Sequence, residues 1–418
     1  MAQKDDTDAA VRVQVQDLYE RFPYPPPDQD IGAYVRGAMV NLESPKFNFH
    51  LYWPYREPTE DLDILVAGCG TSQAATLAAG LPEARIVATD ISDTSLQSTA
   101  NHLKSMGREN VRLEKLPIEE IATLGLDFDL IISTGVLHHL ADPDAGLKAL
   151  TGVLRPEGSM FLMLYGKHGR TGVYMLQEMF RRLGITPSTV TRKDLKNIRD
   201  LVQSLPPAHP FAGGGYVDHL SDEGLVDLLL HMQDRAYSLP DIYDFLDQAE
   251  LKMQRLISRP LYDPKFSPLG APAFSKFLDK TDERTRLAAG ELLRGSISRH
   301  SFVACHAARP ENTYEVDCRP ANWDRLIPVP NRSVVPEMPT PARPSVRLTN
   351  PMLNDGSLFV DVDLDLEPFP RSLDGRRTVN EMLAVAAIPG PAKKTEARVR
   401  KLLERMGELE QLGFRVRP

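Results

Sequence analysis

The 418-residue chain is 42% hydrophobic and 25% charged, which excludes collagen, a continuous coiled coil and disorder throughout. Its 49 Lys and Arg against 57 Asp and Glu leave a net charge of −8, which argues against nucleic acid as the main partner because phosphate binding wants a basic field. Three cysteines (Cys69, Cys305, Cys318) make neither a disulfide framework nor a CxxC metal spacing, the acidic N-terminus is no signal peptide, and no apolar run reaches the roughly 20 residues of a spanning helix, so a cytoplasmic protein without membrane or metal is expected.

In chain order, Val11–Arg21 predicts a short amphipathic helix, and the proline cluster Phe22-Pro23-Tyr24-Pro25-Pro26-Pro27 follows it. Residues 1–60 are read as an N-terminal strap. From Asp63 to Tyr165 strands and helices alternate: Ile64–Ala67, Arg85–Thr89, Val111–Leu116, Phe128–Ser133 and Ser159–Leu164 are strands, while Ser72–Leu81, Ser95–Met106 and Ala145–Leu154 are helices. Near-continuous apolar strands separated by helices indicate a parallel sheet covered on both faces. Residues 166–237 then read as a helical insertion, with helices at Thr171–Gly184, Lys193–Gln203 and Leu225–His231 around a Pro/Gly loop at Pro206–Gly215. Sheet text resumes with a helix at Leu239–Ala249 capped by Ser238 and a strand at Lys252–Ile257. After an irregular loop come a helix at Asp282–Leu293 and a strand at Arg299–His306. The expectation for 61–308 is an α/β, Rossmann-like, doubly wound, seven-stranded and mostly parallel sheet.

Eight prolines between Arg309 and Pro344 predict an extended linker over 309–345. A small α+β domain over 346–418 follows, with an alternating stretch at Leu358–Leu366, two helices, a stop for the second (Glu396–Leu412) at Gly413, and a returning strand at Phe414–Arg417. Arg398, Arg400, Lys401 and Arg405 alternate with Glu396, Glu404, Glu408 and Glu410, which favours a solvated face over a DNA reader. Peptide docking or homodimerisation is the expected role of this domain.

The strongest chemical signal is Val66-Ala67-Gly68-Cys69-Gly70-Thr71-Ser72, between a strand and a helix. Two glycines let the backbone pass close to a ligand, and the helix start offers unpaired N–H groups. Asp90, about twenty residues on, ends the second strand, where a carboxylate accepts bonds from ribose hydroxyls. The pair marks a nucleoside-containing cofactor; a plain tight turn with a surface aspartate is the alternative. A GxGxxG dinucleotide pattern needs a third glycine at Gln73, which counts against a nicotinamide-dependent oxidoreductase.

The run instead resembles motif I of the class I S-adenosylmethionine-dependent methyltransferases. The similarity extends through Ala88-Thr89-Asp90-Ile91-Ser92, Phe128 to Leu140, and Leu154-Arg155-Pro156-Glu157-Gly158. It is closer still to bacterial methyltransferase domains often joined to tetratricopeptide repeats, although no repeats are visible. The tail is similar to small winged-helix-like modules. The family usually has an acid at position 66, here Val66, and a final glycine at position 72, here Ser72. Those departures keep open a second reading, a catalytically inactive scaffold.

The resemblance implies S-adenosylmethionine as cofactor and a small-molecule or peptide-borne O or N acceptor. Gly68, Gly70 and Thr71 would face its amino acid part, Asp90 its ribose, Ile91 the adenine, Pro117 and Ile118 the other side of that ring, and Thr134 and Gly135 the methionine side; core packing is the alternative for Ile91 and Ile118. His138 and His139 follow the fourth strand, where donor and acceptor meet, and either is a candidate base; capping or scaffold bonding is the alternative. Tyr165, Lys167, His168, Arg170 and Tyr174 lie beyond the fifth strand and would hold an acidic group, unless they form a solvated loop. Tyr19, Phe22 and Tyr24 resemble the family's lid, or else pack as a surface strap. Asp234-Arg235-Ala236-Tyr237, closing the insertion, is a further candidate.

Overall fold

The computed structural model describes residues 2–27, 42–214, 216, 221–266, 276–278, 280–353 and 355–418. Parts of the expected strap (28–41), the end of the Pro/Gly loop and much of the irregular loop (267–275) lie outside them. Contacts divide the chain into two compact units. The first comprises Met1–Ala38, Glu60–Leu256 and Glu291–Ala307, and the second Met39–Thr59, Ile257–Gly290 and Ala308–Pro418.

The first unit is built on β1 (Asp63–Ala67), β2 (Arg85–Asp90), β3 (Val111–Lys115), β4 (Phe128–Thr134), β5 (Leu154–Tyr165), β6 (Leu251–Leu256) and β7 (Arg299–His306). They form one sheet in the order β3-β2-β1-β4-β5-β7-β6. The first five run parallel, and β7 lies antiparallel to both β5 and β6. Leu65 of β1 pairs with Val87 on one side and Ile131 on the other, and all three are buried, which is why these strands read as unbroken apolar runs. The order reverses between β1 and β4, and crevices at such a reversal are where open α/β sheets bind ligands. β5 starts earlier than Ser159: Leu154 already pairs with Phe128, and the register then shifts before Ser159 pairs with Leu130, so the Arg-Pro-Glu-Gly segment is a bulge inside the strand.

Helices α1 (Ala2–Arg21), α2 (Gln73–Gly80), α3 (Asp93–Ser105) and α4 (Pro143–Gly152) belong to this unit. So do the insertion helices α5 (Thr171–Arg182), α6 (Arg192–Gln203) and α7 (Asp222–Leu229), followed by α8 (Leu239–Gln248). α6 begins at a reciprocal cap in which Thr191 Oγ1 takes the Asp194 N–H and the Asp194 carboxylate takes the Thr191 N–H. Ser238 and Asp241 do the same for α8. Leu18 of α1 is buried in one cluster with Leu176, Phe180, Ile198 and Leu229 of the insertion. Burial of such side chains stabilises by about 1.5–3 kcal/mol each, so the N-terminal helix and the insertion are packed as one body. No helix among the described residues is long and apolar enough to cross a membrane.

The second unit holds β8 (Leu326–Pro330), β9 (Val335–Glu337), β10 (Ser345–Thr349), β11 (Phe359–Asp363), α9 (Val379–Val385), α10 (Ala392–Glu408) and β12 (Leu412–Val416). The proline-rich stretch expected as a linker is part of this body. Pro328 and Pro330 lie in β8, paired with β12, and Pro336 lies in β9 at the edge of the sheet β11-β10-β9. Proline is tolerated on edge strands because its missing donor falls on the unpaired side. α10 ends at Glu408, earlier than expected: Glu410 takes the left-handed conformation (φ 51°), and Gly413 falls inside β12. Glycine is required there by packing, since a Cβ would lie 2.1 Å from the His50 ring. Arginines of α10 are ion-paired, Arg398 to Asp365 at 2.6 Å and Arg405 to Glu408 at 3.6 Å.

Candidate active site

At the carboxyl end of β1 the chain turns through Gly68 (φ 75°) and Gly70 (φ 53°), conformations that favour glycine. A Cβ on Gly68 would strike Val136, and one on Gly70 would lie 2.8 Å from the Tyr24 carbonyl oxygen. Asp90 ends β2 facing this turn: the Gly70 N–H donates to one carboxylate oxygen (2.9 Å) and the Ser92 N–H to the other (3.0 Å). Burial pushes its pKa up, opposed by the N–H groups of Ser92, Gly70 and Ile91. Each carboxylate oxygen keeps a lone pair for a diol. Ile91 is partly exposed beside it, whereas Ile118 is buried against the α4 side, with Pro117 ahead of it. Thr134 and Gly135 end β4 across the crevice, and the Gln73 amide donates to Thr134 Oγ1 at 2.8 Å. Val66 is fully buried in β1, and Gln73, opening α2, is the polar side chain that reaches Thr134.

The segment after α1 covers this turn. Thr71 Oγ1 donates to the Pro25 carbonyl (2.7 Å), so its hydroxyl holds the strap. Glu20 accepts the N–H groups of Asp93 and Thr94 at the start of α3 (2.7 and 3.1 Å), a capping role with no obvious sequence signal.

Beyond the ends of β4 and β5 lies a second, buried group. His138 and His139 occupy a short turn after β4, with ring centroids 4.2 Å apart. Tyr165 packs 4.1 Å from His138, and the Arg170 guanidinium lies 3.6 Å over the Tyr165 ring and 3.7 Å from Asp234. From α1, Tyr19 donates to Asp227 of α7 at 2.9 Å and lies 3.4 Å from His231 Nε2, while His231 stacks on His139 at 3.7 Å. Tyr174 lies near Arg170, and Tyr24 is close enough to Tyr165 to raise its pKa. Lys167 is not brought in: its backbone N–H pairs with Tyr237 and its side chain is exposed. Asp227, His231 and Gln233 were not candidates from sequence. Asp227 carries the one available signal, an acid inside the apolar run Leu225–Leu230.

Burial drives the charges of this group. It pulls His138 and His231 well below the usual imidazole range and raises Tyr19, Tyr165 and Asp227. Burial also works against the Arg170 charge, but Tyr165, Asp234 and Tyr174 offset it and the guanidinium stays protonated. The histidines differ in what holds them. His139 Nδ1 is 2.7 Å from the Gln233 carbonyl, which only accepts, so Nδ1 carries a proton and Nε2 is the nitrogen left for base chemistry. His231 Nδ1 accepts the Gln233 N–H at 3.1 Å, so its Nε2 carries hydrogen.

A parallel sheet reversed beside a glycine turn, with a half-buried acid closing the next strand, defines a class of enzymes that bind a nucleoside cofactor across the strand ends. Residues 65–160 match the model of a methyltransferase domain. An uncharacterized protein of Synechococcus is 25% identical over 391 residues, 90% of this chain and 88% of its own length. A ubiquinone biosynthesis O-methyltransferase of Parvibaculum lavamentivorans is 34% identical over 105 residues, a quarter of this chain and 41% of the relative, so the chain spans about two fifths of that enzyme. Among solved structures, PKMT2 of Rickettsia typhi in complex with AdoHcy aligns at a TM-score of 0.62 and 15% identity, covering 90% of this chain and 76% of that one, a likeness of fold. The matched segment, residues 65–160, is a methyltransferase domain, and the glycine turn with Asp90 fits S-adenosylmethionine as its cofactor.

Proposed function

We propose that the protein transfers the methyl group of S-adenosylmethionine to a nitrogen or oxygen of a small-molecule or peptide-borne acceptor at the carboxyl ends of β4 and β5. Bound there, the cofactor supplies a sulfonium methyl open to in-line attack. Asp90 holds the ribose hydroxyls, Gly68 and Gly70 admit the amino acid part, and Gln73 with Thr134 orients it. Tyr19, Phe22 and Tyr24 close over the site and exclude water. His139 takes the acceptor's proton on Nε2.

The observation that carries this reading is the fixed tautomer of His139, whose Nε2 is buried and without a hydrogen-bond partner among the described residues. His138 has neither ring nitrogen anchored, and burial holds it neutral, so it serves as a positioning residue. Calorimetry with S-adenosylhomocysteine tests the cofactor half. Asp90→Ala should weaken binding about ten- to hundredfold, from loss of charge-assisted bonds worth roughly 1.5–3 kcal/mol; an unchanged dissociation constant removes Asp90 from that role. A labelled-methyl assay on cell extract tests the other half: His139→Ala should slow transfer by about 10²–10⁴ with cofactor affinity intact. Full transfer by that variant refutes the base.

A further inference from the structure

Resting on the methyltransferase reading, the site also selects among acceptors. His138, His139 and Asp234 each present one atom within 4.8 Å of the other two. His138 and His139 are buried, and the Asp234 side chain is 1% exposed. Both nitrogens of His138, Nε2 of His139 and Oδ1 of Asp234 have no hydrogen-bond partner among the described residues. The second Asp234 oxygen is already engaged: Oδ2 accepts from Gln177 Nε2 at 3.2 Å and faces Arg170 at 3.7 Å. Each of the three residues thus has a buried acceptor awaiting a donor. The Arg170 donors Nε and Nη2 also lack a hydrogen-bond partner among the described residues, but Nη2 lies 3.7 Å from the opposite Asp234 oxygen. Buried acceptors without donors are costly.

Counting donors identifies the ligand. A hydroxyl brings one hydrogen and leaves two of the three acceptors unmade, whereas a primary ammonium brings three. A divalent ion would use the same atoms, but Arg170 already offsets the one Asp234 charge, so the buried site would hold two uncompensated positive charges with the ion against one with an ammonium. We infer that the methyl acceptor is a primary amine, received as its ammonium form by His138, His139 and Asp234.

Asp234 accepts from the ammonium at Oδ1, and His139 Nε2 removes one proton. The neutral amine turns about its C–N bond, keeping two N–H groups on the remaining acceptors and aiming its lone pair at the methyl carbon. The N–C bond forms as the C–S bond breaks, and that electron pair stays on sulfur. The product leaves as a methylammonium, and the proton on His139 passes to solvent. A free alkylamine and a lysine side chain share this chemistry.

The test uses the full chain saturated with S-adenosylhomocysteine and titrated with n-butylamine or its isostere n-butanol, read by saturation-transfer NMR. Butylamine should bind at least tenfold more tightly than butanol, and Asp234→Asn should erase that preference with S-adenosylhomocysteine affinity unchanged. His139→Gln, which retains an acceptor but no base, should keep amine binding and lose methyl transfer. Labelled methyl from extract should be recovered as N-methylamine, in the protein fraction for a lysine acceptor and in the low-mass fraction for a free amine. Equal binding of alcohol and amine, an O-methylated product, or stoichiometric Co²⁺ uptake that Asp234→Asn abolishes and butylamine does not displace would each overturn the amine assignment while leaving the methyltransferase standing. Failure to bind S-adenosylhomocysteine would bring down both.

Discussion

The two halves of the active site are built by different means. On the cofactor side, the turn after β1 and the end of β2 do the work through backbone: two left-handed glycines, N–H groups and one carboxylate within about twenty residues of sequence. On the side we propose for the acceptor, the groups are side chains drawn from α1, the turn after β4, the end of β5, α7 and the end of the insertion, from Tyr19 to Asp234. The first design tolerates a change of neighbours but not of its own backbone. The second depends on distant segments arriving together, because Tyr19 meets Asp227, His139 meets the Gln233 carbonyl and Arg170 meets Asp234 across different elements.

Breaking the backbone half should have the largest effect. Gly70→Ala forces an L-residue into a left-handed conformation at a cost of roughly 1–2 kcal/mol and drives a Cβ against the Tyr24 carbonyl. Calorimetry should show S-adenosylhomocysteine binding weakened more than tenfold, and near wild-type binding would show that the strap yields. Tyr19→Phe probes the side-chain half more gently. It deletes the donor to buried Asp227, and urea denaturation should register a loss of about 1 kcal/mol. An unchanged midpoint would mean that the latch between α1 and α7 carries no weight.

The smallest effect lies beneath the acceptor side, where buried Glu291 sits 3.5 Å from His300 and accepts the Leu239 N–H. Burial raises Glu291 from 4.5 to about 6 and lowers His300 from 6.5 to about 4. The folded protein keeps the Glu291 proton where the unfolded chain releases it, so that contribution declines as pH rises from 4.5 to 6. It refuses the His300 proton where the unfolded chain accepts it, so that contribution declines as pH falls from 6.5 to 4. The two slopes oppose each other, and Glu291→Gln should steepen the acid loss of stability. Denaturation at pH 4.5, 5.5 and 6.5 would reveal it, and parallel profiles would refute it.

The same contrast explains what could be read from the chain. The strands at Ile64–Ala67, Arg85–Thr89, Phe128–Ser133 and Ser159–Leu164 were legible because their residues are mostly buried on both faces, and Gly68, Gly70 and Asp90 because their spacing is local. His138, His139 and Tyr165 were legible as positions at strand ends, but not which histidine is anchored, since that rests on the carbonyl of Gln233, 94 residues away. Asp227 and His231 looked like parts of one more helix, and only packing turns them toward Tyr19. In the second unit, Pro328, Pro330 and Pro336 pointed to a tether, because sequence registers the missing donor and not the strand edge that makes it harmless.

α1 and the strap behind it hold Thr71 through Pro25 at one end and Asp227 through Tyr19 at the other. A change in that one helix or in the segment behind it therefore reaches the glycine turn and the buried polar group together.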